Sequence, residues 1–264
     1  MADILEWRAS HPWQTLGQVE QDLLLSRCIV ALFSREDLAA SLAMRGGSIL
    51  HKIHCAPARR YSEDIDLVQI QGGPIGPIFD MVKSVLSPLL GKPKREIGPG
   101  VATLTYTTPA ESGPPPVLRL KVEINTREHF AVDEHQRIEF VVRSRWFTGA
   151  CRVTTFSLNE LLATKMRALF QRRKGRDLFD LWRGLERPAA DPQRIATIFE
   201  AYMKAMGTPV SATAYRNNLA AKMTHPGFLS DLPPLLAEGT EGYDPQRAFV
   251  DVRDRLVLRL GAGS

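Results

Sequence analysis

Two aspartates separated by one residue stand in an apolar, alternating run, Asp64-Ile65-Asp66-Leu67-Val68. Such a run predicts a strand, and side chains on a strand alternate between its faces. Asp64 and Asp66 therefore project together from one side. Two carboxylates held side by side repel each other unless a cation lies between them. A hard divalent ion such as Mg²⁺ fills that role, taking oxygen ligands and leaving positions for substrate phosphates. Upstream, Gly46-Gly47-Ser48 opens a helical run that carries Lys52. Glycines let backbone N–H groups approach an anion, and a helix N-terminus favours phosphate there. Each signal alone is weak, because G-G-S is common in loops and D-x-D also marks strand ends that meet solvent. In this order, within one short segment, a phosphate cradle beside a carboxylate pair is the equipment of nucleotidyl transfer.

Further along, Ser157-Leu158-Asn159-Glu160 spells a capping box before a periodic apolar run. The predicted helix, from Leu158 to about Arg173, aligns Leu161, Leu162, Met166, Leu169 and Phe170. Lys165 falls on the same side, four residues after Leu161, and a lysine there needs a partner or an anion. After Lys174-Gly175 a second helix begins, with Asp177 and Asp180 in its first turn, where the helix dipole favours acids. Capping accounts adequately for Asp180. The alternating stretch Val117–Asn125 predicts a strand with Leu118, Leu120, Val122 and Ile124 toward a core and Arg119, Lys121 and Glu123 on the other face.

These strings carry a family resemblance. Gly46-Gly47-Ser48-x-Leu50-x-Lys52, followed by Arg60-x-Ser62-Glu63-Asp64-Ile65-Asp66-Leu67, resembles the polymerase-beta-like nucleotidyltransferase superfamily. More narrowly, it looks like the AbiEii-type toxins of bacterial type IV toxin–antitoxin systems. The segment K-M-R-A-L-F-Q-R-R-K-G-R-D-L-F-D-L, from Lys165 to Leu181, resembles that family's second signature. The resemblance implies that Lys165 and Asp177 act with Asp64 and Asp66 in catalysis, and that Gly46, Gly47, Ser48, Lys52 and Ser62 bind the nucleotide. It implies Mg²⁺, or Mn²⁺ in its place, on Asp64 and Asp66, with Glu123 as a third ligand; the bland reading of Glu123 is an exposed charge paired with Lys121. An NTP would be the donor, the 3′ acceptor end of tRNA the acceptor, and blocked translation the outcome. A cognate antitoxin, a DNA-binding repressor, is the implied partner. Two alternatives stay open: nucleotidyl transfer to a protein hydroxyl, and a non-catalytic RNA-binding module.

At 264 residues the chain can bury a substantial core without staples. Its 44% hydrophobic and 24% charged residues fit a soluble globular class rather than a disordered one. No apolar run approaches membrane-spanning length, and the N-terminus lacks the order of a signal peptide. Cys28, Cys55 and Cys151 are odd in number and far apart, so a reducing cytoplasm is expected. His51, His54 and Cys55 lack a second cluster of zinc ligands and read as a helix end. Charge is concentrated between Arg143 and Arg187, where eleven Lys/Arg face four Asp/Glu, against a net +5 for the whole chain. That suggests a polyanion partner, with Arg172, Arg173, Lys174 and Arg176 as the candidate RNA grip.

The expected fold is α+β: a nucleotidyltransferase-like mixed, mostly antiparallel sheet covered by helices over 1–155, then a mainly helical lobe over 156–264. Helices are predicted over 17–34, from Ser34-x-x-Asp37 as a cap to Leu42, and over 48–54, 75–90, 195–206, 212–223 and 246–260. Lys52 lies off the apolar stripe of its helix, facing the site. Strands are predicted over 43–45, 64–68, 101–107, 117–125, 138–142 and 151–155. Gly91–Gly100 and Glu111–Pro116 are expected as loops.

Overall fold

The computed structural model describes residues 1–113 and 117–261. Helices α1 (Ala2–Arg8), α2 (Leu16–Phe33) and α3 (Glu36–Ser41) lead into strand β1 (Leu42–Arg45). Helix α4 (Gly46–Ile49) opens at once into a π-helical turn, Leu50–His54. Then come β2 (Asp64–Gln69), α5 (Ile75–Leu90), β3 (Lys94–Gly98), β4 (Val101–Pro109), β5 (Val117–Asn125), β6 (Gln136–Arg143) and β7 (Thr148–Thr155). Among the described residues the rest is helical: α6 (Leu158–Gln171), α7 (Gly175–Leu185), α8 (Pro192–Ala205), α9 (Ala212–Met223), α10 (Pro226–Leu229) and α11 (Pro245–Arg255), with short 3-10 turns.

The strands form one seven-stranded mixed sheet in the order β3-β4-β5-β2-β1-β7-β6. β2 pairs antiparallel with β1 and parallel with β5, and β1 pairs parallel with β7. Alternation on the strands decides which face is covered. Ile65, Leu67, Leu120, Val122 and Ile124 are buried, beneath α2 and α5, which meet each other and the sheet. The opposite face carries Asp64, Asp66, Lys121 and Glu123. Buried apolar residues form one contiguous cluster from Ile4 to Leu260, so sheet and helices share a core.

Several expectations are corrected. Gly91–Gly100 is not all loop: Lys94–Gly98 pairs with β4 across the Gly98-Pro99-Gly100 turn. This edge strand is almost wholly exposed, so no apolar alternation marks it. The N-cap of α3 is Arg35 rather than Ser34, and Asp37 accepts from the Arg35 guanidinium instead of closing a box. The short helix α1 carries no sequence signal beyond Ile4 and Trp7, which it buries. Of the loop expected over 111–116, residues 114–116 lie outside the described residues. The basic segment is not one surface. Arg143, Arg145 and Arg152 lie on or beside β6 and β7, while Arg167 and Arg183 are paired with Glu128 and Glu186.

The capping box at α6 is half formed. Ser157 accepts from the Glu160 backbone N–H at 3.1 Å. The Glu160 carboxylate instead accepts from the Val132 and Asp133 N–H groups at 2.8 and 2.9 Å and from the Tyr202 hydroxyl at 2.7 Å. It thereby ties α6 to α8 and to the loop after β5. Losing a cap costs about 1 kcal/mol. Stranding buried donors costs about 1–3 kcal/mol each. Glu160→Ala should therefore lose about 3 kcal/mol or more in urea unfolding; a loss near 1 kcal/mol would reduce Glu160 to a cap.

Candidate active site

The register of the sheet builds the floor of the cleft. Asp66 lies beside Arg45 on β1 and Glu123 on β5, and Asp64 beside Lys121. The two aspartates are half-buried on one face. Burial first, then the Asp66 charge, pushes the Asp64 carboxyl up to about 7. Burial also raises Asp66, against the opposing charge of Lys165. Glu123 turns to Lys121, 2.7 Å away. Among the described residues no three His, Cys, Asp or Glu groups converge as a ready metal cage. Two adjacent hard oxygen donors under mutual strain still suit an ion that completes its shell with water and phosphate oxygens. Asp64 and Asp66 are the residues that would hold it.

Glycine is required where the helix meets the strand. Gly46 has φ +84°, and a Cβ there would fall 2.0 Å from Asp66 Oδ2. A Cβ on Gly47 would meet Arg60 Nη2 at 2.4 Å and Ser62 Oγ at 2.9 Å. The Ser48 side chain is turned away from the cleft: it is buried and its hydroxyl donates to the Asp64 carbonyl at 2.5 Å. It pins the start of α4 to the start of β2.

Lys52 does not face the cleft as expected. Its amine donates to Asp22 at 2.6 Å and to Ser26 at 2.9 Å. Asp22 is buried on α2, and a buried carboxylate needs a cation. The π-turn breaks the 3.6-residue spacing on which the stripe was judged.

The roof comes from α6 and α7. Lys165 is buried beneath two acids of the same helical turn, 2.7 Å from Asp180 and 3.6 Å from Asp177. Asp180 also accepts from Arg60 Nε and Nη2 at 2.8 and 2.9 Å and from His51 Nε2 at 2.8 Å. Burial alone would raise Asp180. Arg60, Lys165 and His51 overcome it and hold the carboxyl well below the usual range. His51, lowered chiefly by burial, is neutral and donates through Nε2. Asp177 takes a two-pronged contact from Arg172 at 2.7 and 2.8 Å.

The cleft is lined by Gly46, Gly47, Ser62, Asp64, Asp66, Glu123, Lys165, Arg172 and Arg176, together with Arg45, Arg60 and Arg167. Buried Asp177 stands behind this lining, through Arg172. Of the candidate RNA grip, Arg172 and Arg176 line the cleft. Lys174 pairs with Asp231 at 3.2 Å, and Arg173 is exposed outside the lining. Arg60 carries no expected role and Asp180 is expected only to cap α7, although both stand inside the quoted strings and pair in the roof. Arg45, Glu128 and Arg167 form a further cluster: both guanidiniums meet Glu128 within 2.9 Å.

Two expected outcomes follow from this geometry. A helix-start acid is worth about 0.3–1 kcal/mol, whereas breaking a buried ion cluster costs about 3–5 kcal/mol. Asp180→Asn should show the larger loss in chemical unfolding; a loss under 1 kcal/mol would return Asp180 to capping. Asp64 has the opposite sign. Its raised carboxyl favours the folded state below the unfolded value of 3.8, and that contribution is lost as pH rises through about 7. In chelator, Asp64→Asn should raise the Tm more at pH 8 than at pH 5. An equal shift at both would show that Asp64 is not strained.

A family model described as nucleotidyl transferase AbiEii toxin, type IV TA system, matches residues 27–252. JHP933 from Helicobacter pylori superposes with a TM-score of 0.57 at 18% identity, covering 94% of this chain and 93% of that one. MenT4, a nucleotidyltransferase toxin from Mycobacterium tuberculosis H37Rv, superposes with a TM-score of 0.55 at 15% identity, covering 98% and 97%. At such identities these likenesses show the shared fold. Among curated proteins none shows a significant match. No helix among the described residues is long and apolar enough to cross a membrane. The family match spans most of the chain, including both the carboxylate strand and the lysine helix: the chain belongs to the AbiEii family of nucleotidyl transferase toxins of type IV toxin–antitoxin systems.

Proposed function

We propose that this toxin transfers a nucleoside monophosphate from an NTP to the 3′ acceptor end of tRNA and so blocks translation in the cytoplasm. The observation that carries the reading is the strained Asp64–Asp66 pair beneath Lys165, Arg60 and Arg172 in one cleft. The sheet lobe, 1–155, supplies the carboxylates, and the helical lobe, 156–264, supplies Lys165 and Asp177. Mg²⁺ bound by Asp64 and Asp66 would stabilise charge on the entering and leaving oxygens, and Glu123 on the neighbouring strand would join them only by leaving Lys121.

The chain's own residues do the positioning. The acceptor hydroxyl forms a bond to the α-phosphorus, the bond to the β-phosphate oxygen breaks, and the hydroxyl proton leaves to water in the cleft. Arg60, Lys165, Arg172 and Arg176 meet the charge of the departing pyrophosphate. Gly47 and Ser62 flank it. Asp177 and Asp180 are positioning residues that aim the cations. Ser48 fixes the glycine turn through the Asp64 carbonyl rather than by touching phosphate. An antitoxin, proposed as a DNA-binding repressor, is the partner that restrains this activity.

Incubation with each labelled NTP and either total tRNA or total protein tests the reading. Label should enter tRNA in a divalent-metal-dependent manner, and Asp66→Ala should abolish it while the fold persists. Label in protein alone would replace the acceptor. Full activity in Asp66→Ala would remove the carboxylate pair from the mechanism.

A further inference from the structure

The cleft divides at its centre into two arms that share Asp66, Glu123, Lys165 and Arg172. The first arm runs past Gly47, Arg60, Ser62, Asp64 and Arg176 and holds a cavity of about 100 Å³. The second runs past Arg45, Gly46, Thr164, Arg167, Ala168 and Gln171 and is larger, about 350 Å³. We infer that the arms have different occupants: the triphosphate lies in the first, and the terminal nucleotides of an RNA acceptor lie along α6 in the second. This inference rests on the reading of nucleotidyl transfer to RNA.

Reaction geometry requires two arms. In an in-line displacement the entering and leaving oxygens stand on opposite sides of the phosphorus. A cleft with the carboxylates in the middle must therefore open both ways. The first arm matches a compact polyanion. Its walls are polar, and Arg60 is buried and held on Asp180 by two hydrogen bonds. Gly47 lets the backbone close against Arg60 and Ser62.

The second arm matches a strand. Thr164, Arg167, Ala168 and Gln171 recur at helical spacing, so they form one face of α6. From residue 164 to 171 that face runs about 10 Å. Thr164 and Ala168 are small, which keeps the α6 wall low and partly apolar, as a ribose or a base requires and a triphosphate does not. Arg45 and Arg167 are locked onto Glu128, and Arg167 lies 5.0 Å from the Tyr202 ring centroid. Two guanidiniums sharing one carboxylate keep a net positive wall, suited to a backbone phosphate.

Charge substitutions on the α6 face test the assignment. Ala168→Glu and Gln171→Glu place a carboxylate in the second arm at positions that are exposed or half-buried. Glutamate is a good helix former, so α6 should hold, and a melting curve checks it. Pyrophosphate release is followed with total tRNA and, in parallel, total protein, and NTP Kd is measured separately. The Glu variants should raise the acceptor KM tenfold or more while NTP Kd stays within twofold. Gln171→Lys should lower the tRNA KM, a sign that unfolding cannot imitate. Ser62→Ala, in the first arm, should weaken NTP and leave acceptor KM in place. A rise in NTP Kd in the Glu variants with acceptor KM unmoved would reverse the arms, and no change in either would remove the second arm. Turnover on protein but not tRNA would sink the RNA reading; the arm assignment would then be decided by the same variants' KM for protein.

Discussion

Two carboxylates one helical turn apart, both withdrawn from water, govern this molecule. Asp177 and Asp180 on α7 face three cations, Arg60, Lys165 and Arg172, which reach them from a loop, from α6 and from the turn between the helices. A buried ion is costly unless its partners are fixed. The cluster therefore holds the remote Arg60 loop, α6 and α7 in one geometry. Each cation stays at the cleft wall because its carboxylate lies behind it. The acids do not touch the floor of the site, yet they decide where its positive charge stands.

Below them the problem is reversed. Asp64 and Asp66 are like charges on one strand face, and the sheet register sets Glu123 alongside. Lys121 and Arg45, the cross-strand neighbours, relieve this only in part. Floor and roof are thus complementary, negative under positive, with the cleft between them. Substrate phosphates and a divalent ion fit there for electrostatic reasons before any detail of recognition is considered.

What the sequence reveals follows from what is local. The D-x-D pair, the glycine turn, the parity of Glu123 and the lysine on the apolar side of α6 are short-range patterns, and the elements around them fall within a few residues of the expected bounds. Arg60 and Asp180 could be seen in the same strings but not paired, since they stand 120 residues apart and meet only through tertiary packing. Lys52 points elsewhere because a π-turn changed the spacing that its placement assumed. β3 shows no pattern because an exposed edge strand needs none. The charge excess over 143–187 has little meaning in space, since the chain folds its arginines onto several surfaces and pairs many of them.

The contact between Gly46 and Asp66 leaves no room for one extra carbon atom. A methyl group at residue 46 would press on the carboxylate from the backbone side, in a turn whose positive φ already disfavours any L side chain. Every acid, lysine and arginine of the cleft would stay in the chain, yet the Asp66 carboxylate would have to leave its place beside Glu123.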